Sequence, residues 1–158
     1  MESYDCRICS TWGEEALQLF KKMQHSLVML NNITFIYVMS VCIRIGQVDE
    51  GHCYFNYMIK DHNITPKMDH YACMVDLLGR VGRLEDVMGM IKKIPLEPST
   101  IIWHKFLGAC RIHGKMELGQ YAAKCILELE PQDAATYVLL SNSYALARIW
   151  DDAERIKK

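Results

Sequence analysis

The stretch NNITFIYVMSVCIRIGQVDEG (Asn31–Gly51) is followed by MDHYACMVDLLGRVGRLEDV (Met68–Val87), which repeats its outline: an early aromatic, an apolar stripe, a small turn with Gly, then an acidic pair. Aligned on Gly46, Gly82, Gly114 and Arg148, four such units follow one another at spacings of 36, 32 and 34 residues. Eleven places before each turn residue stands an aromatic: Phe35, Tyr71, Trp103, Tyr137. Four places before it come Cys42, Leu78, Cys110 and Tyr144, and two places after it Val48, Leu84, Met116 and Trp150. A self-similar period in this range is the signature of a stacked repeat, because one helical hairpin cannot bury its apolar face alone.

Each unit reads as two helices. The first is expected over 33–44, 69–80, 101–112 and 135–146, the second over 47–60, 83–93, 115–129 and 149–158, since apolar residues recur at three- and four-residue steps. Glycine at the turn takes the backbone angles that end a helix. Acids then open the second helix, where its dipole favours negative charge. Pro66, Pro98 and Pro131 precede the next first helix and stop the one before it. Ahead of all this, GEEALQLFKKMQ (Gly13–Gln24) reads as a lone amphipathic second helix, and residues 1–12 as irregular or frayed. The fold expected is all-α, a right-handed α-solenoid of stacked helix-turn-helix repeats, with the aromatic column in its core. Its open ends should leave apolar residues such as Leu17, Phe20, Ile149 and Trp150 in solvent, so the product should be marginally stable or self-associating.

The 158 residues suit one domain or a short repeat array, and 51% hydrophobic content is enough to bury a core. A net charge of −1 gives the whole chain no strong field toward nucleic acid or membrane, though a local basic face is compatible with it. Seven cysteines are an odd number, several at apolar helix positions, so they read as free buried thiols in a reducing compartment. The sequons at Asn32 and Asn63 are then chance matches. No apolar run is long enough to span a membrane. The first twelve residues, MESYDCRICSTW, lack the Arg- and Ser-rich character of a transit peptide.

The segments GEEALQLFKKM, NNITFIYVMSVC, ITPKMDHYACMVDLLGRVGRLEDV, EPSTIIWHKFLGACRIHGKMELGQYAA and LELEPQDAATYVLLSNSYA together resemble a plant pentatricopeptide repeat protein. The likeness runs from about Gly13 onward. It is to the end of the PLS subgroup, where repeats of mixed length precede E-type motifs. By that resemblance residues 13–31 form a partial repeat, 32–67 and 68–99 two repeats, 100–133 a first E-type motif and 134–158 a truncated second. The resemblance implies an organellar factor, mitochondrial or chloroplastic, that binds single-stranded RNA for C-to-U editing and recruits a DYW-type deaminase or other editing protein in trans.

It also implies which residues face RNA. The fifth and last residues of a unit read the base edge and the second packs on the base. Ile36 with Lys67 and Ala72 with Ser99 are then the edge pairs, His104 with Asp133 is the matching pair of the first E-type motif, a unit the family does not usually count as a reader, Val138 is the fifth residue of the last unit, and Ile33, Asp69, Ile101 and Ala135 hold the second position. Ile36, Ala72 and Val138 cannot hydrogen-bond, so weak sequence discrimination is expected. Arg44, Arg80, Lys105 and Arg111 are the candidate phosphate contacts. The first-helix strips, with Arg148, hold five basic residues against two acidic ones, and the second-helix strips nine against ten.

The chain departs from that pattern. SLVMLNN (Ser26–Asn32) replaces a Gly and a Lys-Pro pair, which should weaken the turn before Asn32; Arg148 replaces the fourth glycine; the chain stops inside the last motif. A zinc deaminase needs His-x-Glu and a later Cys-x-x-Cys. The histidines read HSL, HCY, HNI, HYA, HKF and HGK, and Cys6 and Cys9 form an isolated C-x-x-C, half a zinc site. No catalytic residue, metal ligand or cofactor is assigned. Two alternatives stand beside RNA binding: a protein-interaction scaffold of the tetratricopeptide kind, which Ile36, Ala72 and Val138 suit better, and a truncated copy without function.

Overall fold

A computed structural model describes the backbone of residues 3–157 and the side chains of residues 12–145 and 148. Among the described residues are eight helices and no strand: α1 (Ser3–Gln24), α2 (Asn32–Ile45), α3 (Val48–Lys60), α4 (Met68–Arg80), α5 (Leu84–Lys93), α6 (Thr100–Ile112), α7 (Met116–Leu129) and α8 (Ala134–Lys157). They form an α-solenoid. Helices α2, α4 and α6 stack as a ladder, each backed by the helix that follows it, and among the described residues helix contacts run within a unit or between neighbouring units.

The ends of the helices follow from local chemistry. Asn31 caps α2, its Oδ1 accepting the Thr34 N–H at 3.0 Å, while Thr34 Oγ1 accepts the Asn31 N–H at 3.5 Å. That reciprocal cap, with Leu30 buried beneath it, holds the turn that lacks Lys-Pro. Leu27 and Met29 of the same loop stay in solvent. At the other end of each first helix the chain closes identically. Gly46, Gly82 and Gly114 take φ of 74°, 78° and 66°. The next N–H reaches back to the carbonyl five residues earlier: Gln47 to Cys42 at 3.0 Å, Arg83 to Leu78 at 3.1 Å, Lys115 to Cys110 at 2.9 Å.

Two histidines tie successive rungs of the ladder. His70, wholly buried, accepts the Lys67 N–H on Nδ1 at 3.0 Å. That fixes its proton on Nε2, which donates to the Asn32 carbonyl one unit back at 3.0 Å. His113 Nε2 donates to the Gly79 carbonyl at 2.9 Å. There α4 and α6 cross so closely that a Cβ on Gly79 would lie 2.8 Å from that of Ala109.

The column residues divide by unit. Phe35 and Trp103 are buried, Tyr71 is half-buried, but Tyr137 is 52% exposed. Cys42, Leu78 and Cys110 are buried; Tyr144 is exposed. The expected last hairpin is absent, because α8 runs through Arg148 as one helix of 24 residues. With no helix folded back on α8 among the described residues, Tyr137 and Tyr144 lack cover. Helix α8 packs on α7 and, among the described residues, not on α6. A cleft of about 670 Å³ lined by Arg111, Ile112, Leu139 and Asn142 opens between α6 and α8.

The N-terminal end also differs from expectation. Residues 3–12 are helical, continuous with Gly13–Gln24. Leu17 and Phe20 are buried, each 4% exposed, since α1 packs on the first hairpin: Phe20 meets Phe35 of α2 and Tyr54 of α3 edge-on at 5.9 and 5.1 Å. The side chains of Cys6, Cys9, Ile149 and Trp150 lie outside the described residues. Of the thiols within them, Cys42 and Cys110 are core, Cys73 and Cys125 half-buried, and Cys53 exposed. Burial first, and then the Glu50 charge, pushes the Cys42 thiol up to about 12; burial pushes Cys110 up to about 11. No helix among the described residues is long and apolar enough to cross a membrane.

Candidate nucleic-acid interface

The ladder of α2, α4 and α6 carries one candidate edge pair per unit. The second-position residues open each helix and point outward: Ile33 and Ile101 are 59% and 60% exposed, and Asp69 and Ala135 are exposed as well. Two isoleucines in solvent at equivalent sites offer flat apolar contact. Asp69 offers only negative charge.

The edge pairs are unequal. Ile36 is half-buried beside an exposed Lys67. Ala72, expected on the open face, is instead a core residue at 9% exposure, because the closely stacked helices enclose a methyl side chain at that height. Its partner Ser99 has a buried Oγ with no hydrogen-bond partner. Val138 is 57% exposed and apolar. Only His104 and Asp133 are in contact, with His104 Nε2 lying 3.2 Å from Asp133 Oδ2.

That contact is built by three element ends. His104 stands one turn into α6, Glu130 follows α7 and Asp133 precedes α8. The Thr136 hydroxyl donates to Asp133 Oδ2 at 2.6 Å, and the Thr100 hydroxyl to Glu130 Oε1 at 2.8 Å. The Thr136 hydroxyl foremost, with backbone N–H groups at the start of α8 and the His104 ring, holds the Asp133 carboxyl below its ordinary range. One ligand atom from each of His104, Glu130 and Asp133 lies within 4.8 Å of the others.

The candidate phosphate contacts separate into two kinds. Arg80 Nε and Lys105 Nζ both bind Asp76, each at 3.0 Å, one on each carboxylate oxygen. Asp76 thus bridges α4 and α6 and leaves that cluster one net positive charge. Arg44 and Arg111 are exposed and, among the described residues, have no carboxylate partner. Sequence spacing shows the Asp76–Arg80 pair, four apart on a helix. It gives no sign of Lys105, which arrives from the next rung, nor of Glu130, which needs the α7–α8 corner to reach His104.

The PPR repeat family model matches residues 33–62 and 69–97, and the E motif model matches 113–158. The mitochondrial pentatricopeptide repeat-containing protein At5g40410 of Arabidopsis thaliana is 44% identical over 92% of this chain and 24% of its own length. The pentatricopeptide repeat-containing protein At2g13600 of the same plant is 45% identical over 93% of this chain and 21% of its length. The chloroplastic protein CRR2, also from Arabidopsis, is 42% identical over 93% and 22%. The chain spans less than a quarter of the length of these relatives.

Proposed function

We propose that this chain, which belongs to the pentatricopeptide repeat family, is the RNA-binding and adaptor segment of an organellar RNA-processing factor, acting in C-to-U editing with a deaminase supplied in trans. The observation that carries the reading is the His104–Asp133 contact at 3.2 Å. It brings the fifth and last residues of unit 100–133 together at an accessible edge, with Ile101 exposed beside them. A base laid on Ile101 would meet a donor and an acceptor there. At Ile36 and Ala72 it would meet none, so one unit carries the sequence preference and the others mainly hold the strand.

Phosphates would run past Arg44, the Arg80–Lys105–Asp76 cluster and Arg111. The E motif match over 113–158 supports the adaptor role, with the exposed face of α8 at Tyr137, Val138 and Tyr144 as its contact surface. Relatives named as mitochondrial or chloroplastic support an organelle as the place of action.

The test is binding to a randomised single-stranded RNA pool at low salt. Binding that weakens with salt and drops in Arg44→Glu/Arg111→Glu is expected, and His104→Ala should relax selection at one nucleotide without changing the salt slope. Failure to retain any RNA would sink the proposal. A second reading, a scaffold for proteins without RNA contact, draws on the apolar groove where Leu19, Ile33 and Tyr37 lie exposed between α1 and α2. RNA-independent capture of an editing protein, abolished by Tyr37→Asp, would favour it.

A further inference from the structure

The corner where α6, α7 and α8 meet holds more than a base-edge pair. Its donors are an imidazole nitrogen and two carboxylates, drawn from three separate elements and converging within 4.8 Å. Ligands about 2.0–2.2 Å from a common tetrahedral ion lie roughly 3.3–3.5 Å from one another. His104 Nε2 and Asp133 Oδ2 are already 3.2 Å apart, and Glu130 needs only a small side-chain movement to join them.

Both carboxylates are held from behind. Thr100 donates to Glu130 Oε1 and Thr136 to Asp133 Oδ2, the outer hydrogen bonds by which ligating carboxylates are oriented. Each keeps a lone pair or a second oxygen for the interior of the cluster. Two acids face one imidazole, and among the described residues no lysine or arginine pairs with either. A divalent cation would offset this charge more fully than a proton on His104.

We propose that His104, Glu130 and Asp133 form a site for a divalent transition-metal ion of the zinc class. Nitrogen with carboxylate oxygen suits zinc better than magnesium or calcium, which favour all-oxygen shells. The half-exposed position of His104 leaves a coordination place for water. The proposal does not rest on RNA reading, though it shares His104 and Asp133 with that role: a bound ion would occupy the nitrogen that a base would otherwise meet.

Cysteine thiolates are zinc ligands in general, so the probe must tell sulfur from nitrogen and oxygen. Chelator-treated protein is titrated with Co²⁺ and followed by absorption, then with Zn²⁺ in competition. One equivalent should give ligand-field bands without sulfur-to-cobalt charge transfer, and Zn²⁺ should displace it. His104→Ala should weaken that equivalent at least tenfold and Glu130→Gln several-fold, with circular dichroism unchanged. His52→Ala, a ring bonded to Asn56 on another helix, should not alter it. Cobalt bound only through sulfur, no cobalt bound, or an isotherm indifferent to His104→Ala overturns the proposal.

Discussion

The hairpin closed at Gly82 and the rod that passes through Arg148 occupy the same place in the repeat. At Gly82 the chain enters the left-handed region with φ 78°, Arg83 bonds back to Leu78, and α5 returns to cover the core. At Arg148 the same manoeuvre would place a Cβ against the following carbonyl, costing roughly 1–2 kcal/mol. Continuing the helix avoids that cost, and α8 does so. The consequence spreads beyond the turn. Phe35 is fully buried while Tyr137, in the same column, is half in water, and α8 leaves the ladder that α2, α4 and α6 keep. A turn residue therefore decides whether a column of aromatics is core or surface.

The sharpest way to break this comparison is to truncate one column at both ends. Phe35→Ala should cost about 3–5 kcal/mol, whereas Tyr137→Ala should stay within about 0.5 kcal/mol; urea denaturation of the two variants measures the gap. Next in size is the buried tie. His70→Ala strands the Lys67 N–H and the Asn32 carbonyl and should cost about 2–3 kcal/mol. In hydrogen exchange the added opening should appear in α2 and α4 before α7.

The turns themselves come third. Gly82→Ala should cost about 1–2 kcal/mol, since a Cβ there also stands 3.1 Å from the His113 ring. Arg148→Gly should instead act on helicity, lowering the far-ultraviolet signal of α8 by removing about 1 kcal/mol of local propensity. An unchanged spectrum would show that Arg148 is not what keeps the rod straight. Thiol labelling makes a finer division: at neutral pH Cys53 should react in the native state, while Cys42 and Cys110, whose thiols burial pushes up to about 12 and about 11, should react only on unfolding. The smallest effect is in acid. The Asp133 carboxyl sits below its ordinary range, so the stability it contributes is present above the ordinary carboxylate range and is lost as pH falls through the lowered folded value. Asp133→Asn should flatten that part of the acid titration.

The three glycine turns, both ends of the six helices α2 to α7 to within a residue, and the burial of Phe35 and Trp103 were legible because they depend on local chemistry and period. The last hairpin was misread because alignment imposed a turn on Arg148. The residues around it, YALARIWDDAERIKK, are rich in helix formers and lack the glycine a turn requires. The buried state of Leu17 and Phe20 was missed for another reason: the one hairpin that follows, through α2 and Tyr54 of α3, covers the inner face of α1 without a further repeat. At the candidate site, resemblance named His104 and Asp133. Glu130, and the bridge from Asp76 to Lys105, depend on how rungs stack, which no spacing within one unit reveals.

The rod has a consequence for how this surface can change over generations. A helix of 24 residues is about 36 Å long, while the 13 residues of α6 make one of about 20 Å. Every arginine codon lies a single base from a glycine codon. A continued helix and a folded-back hairpin are therefore neighbours in mutational space, and the course of the backbone through position 148 is open to selection at the smallest possible genetic step.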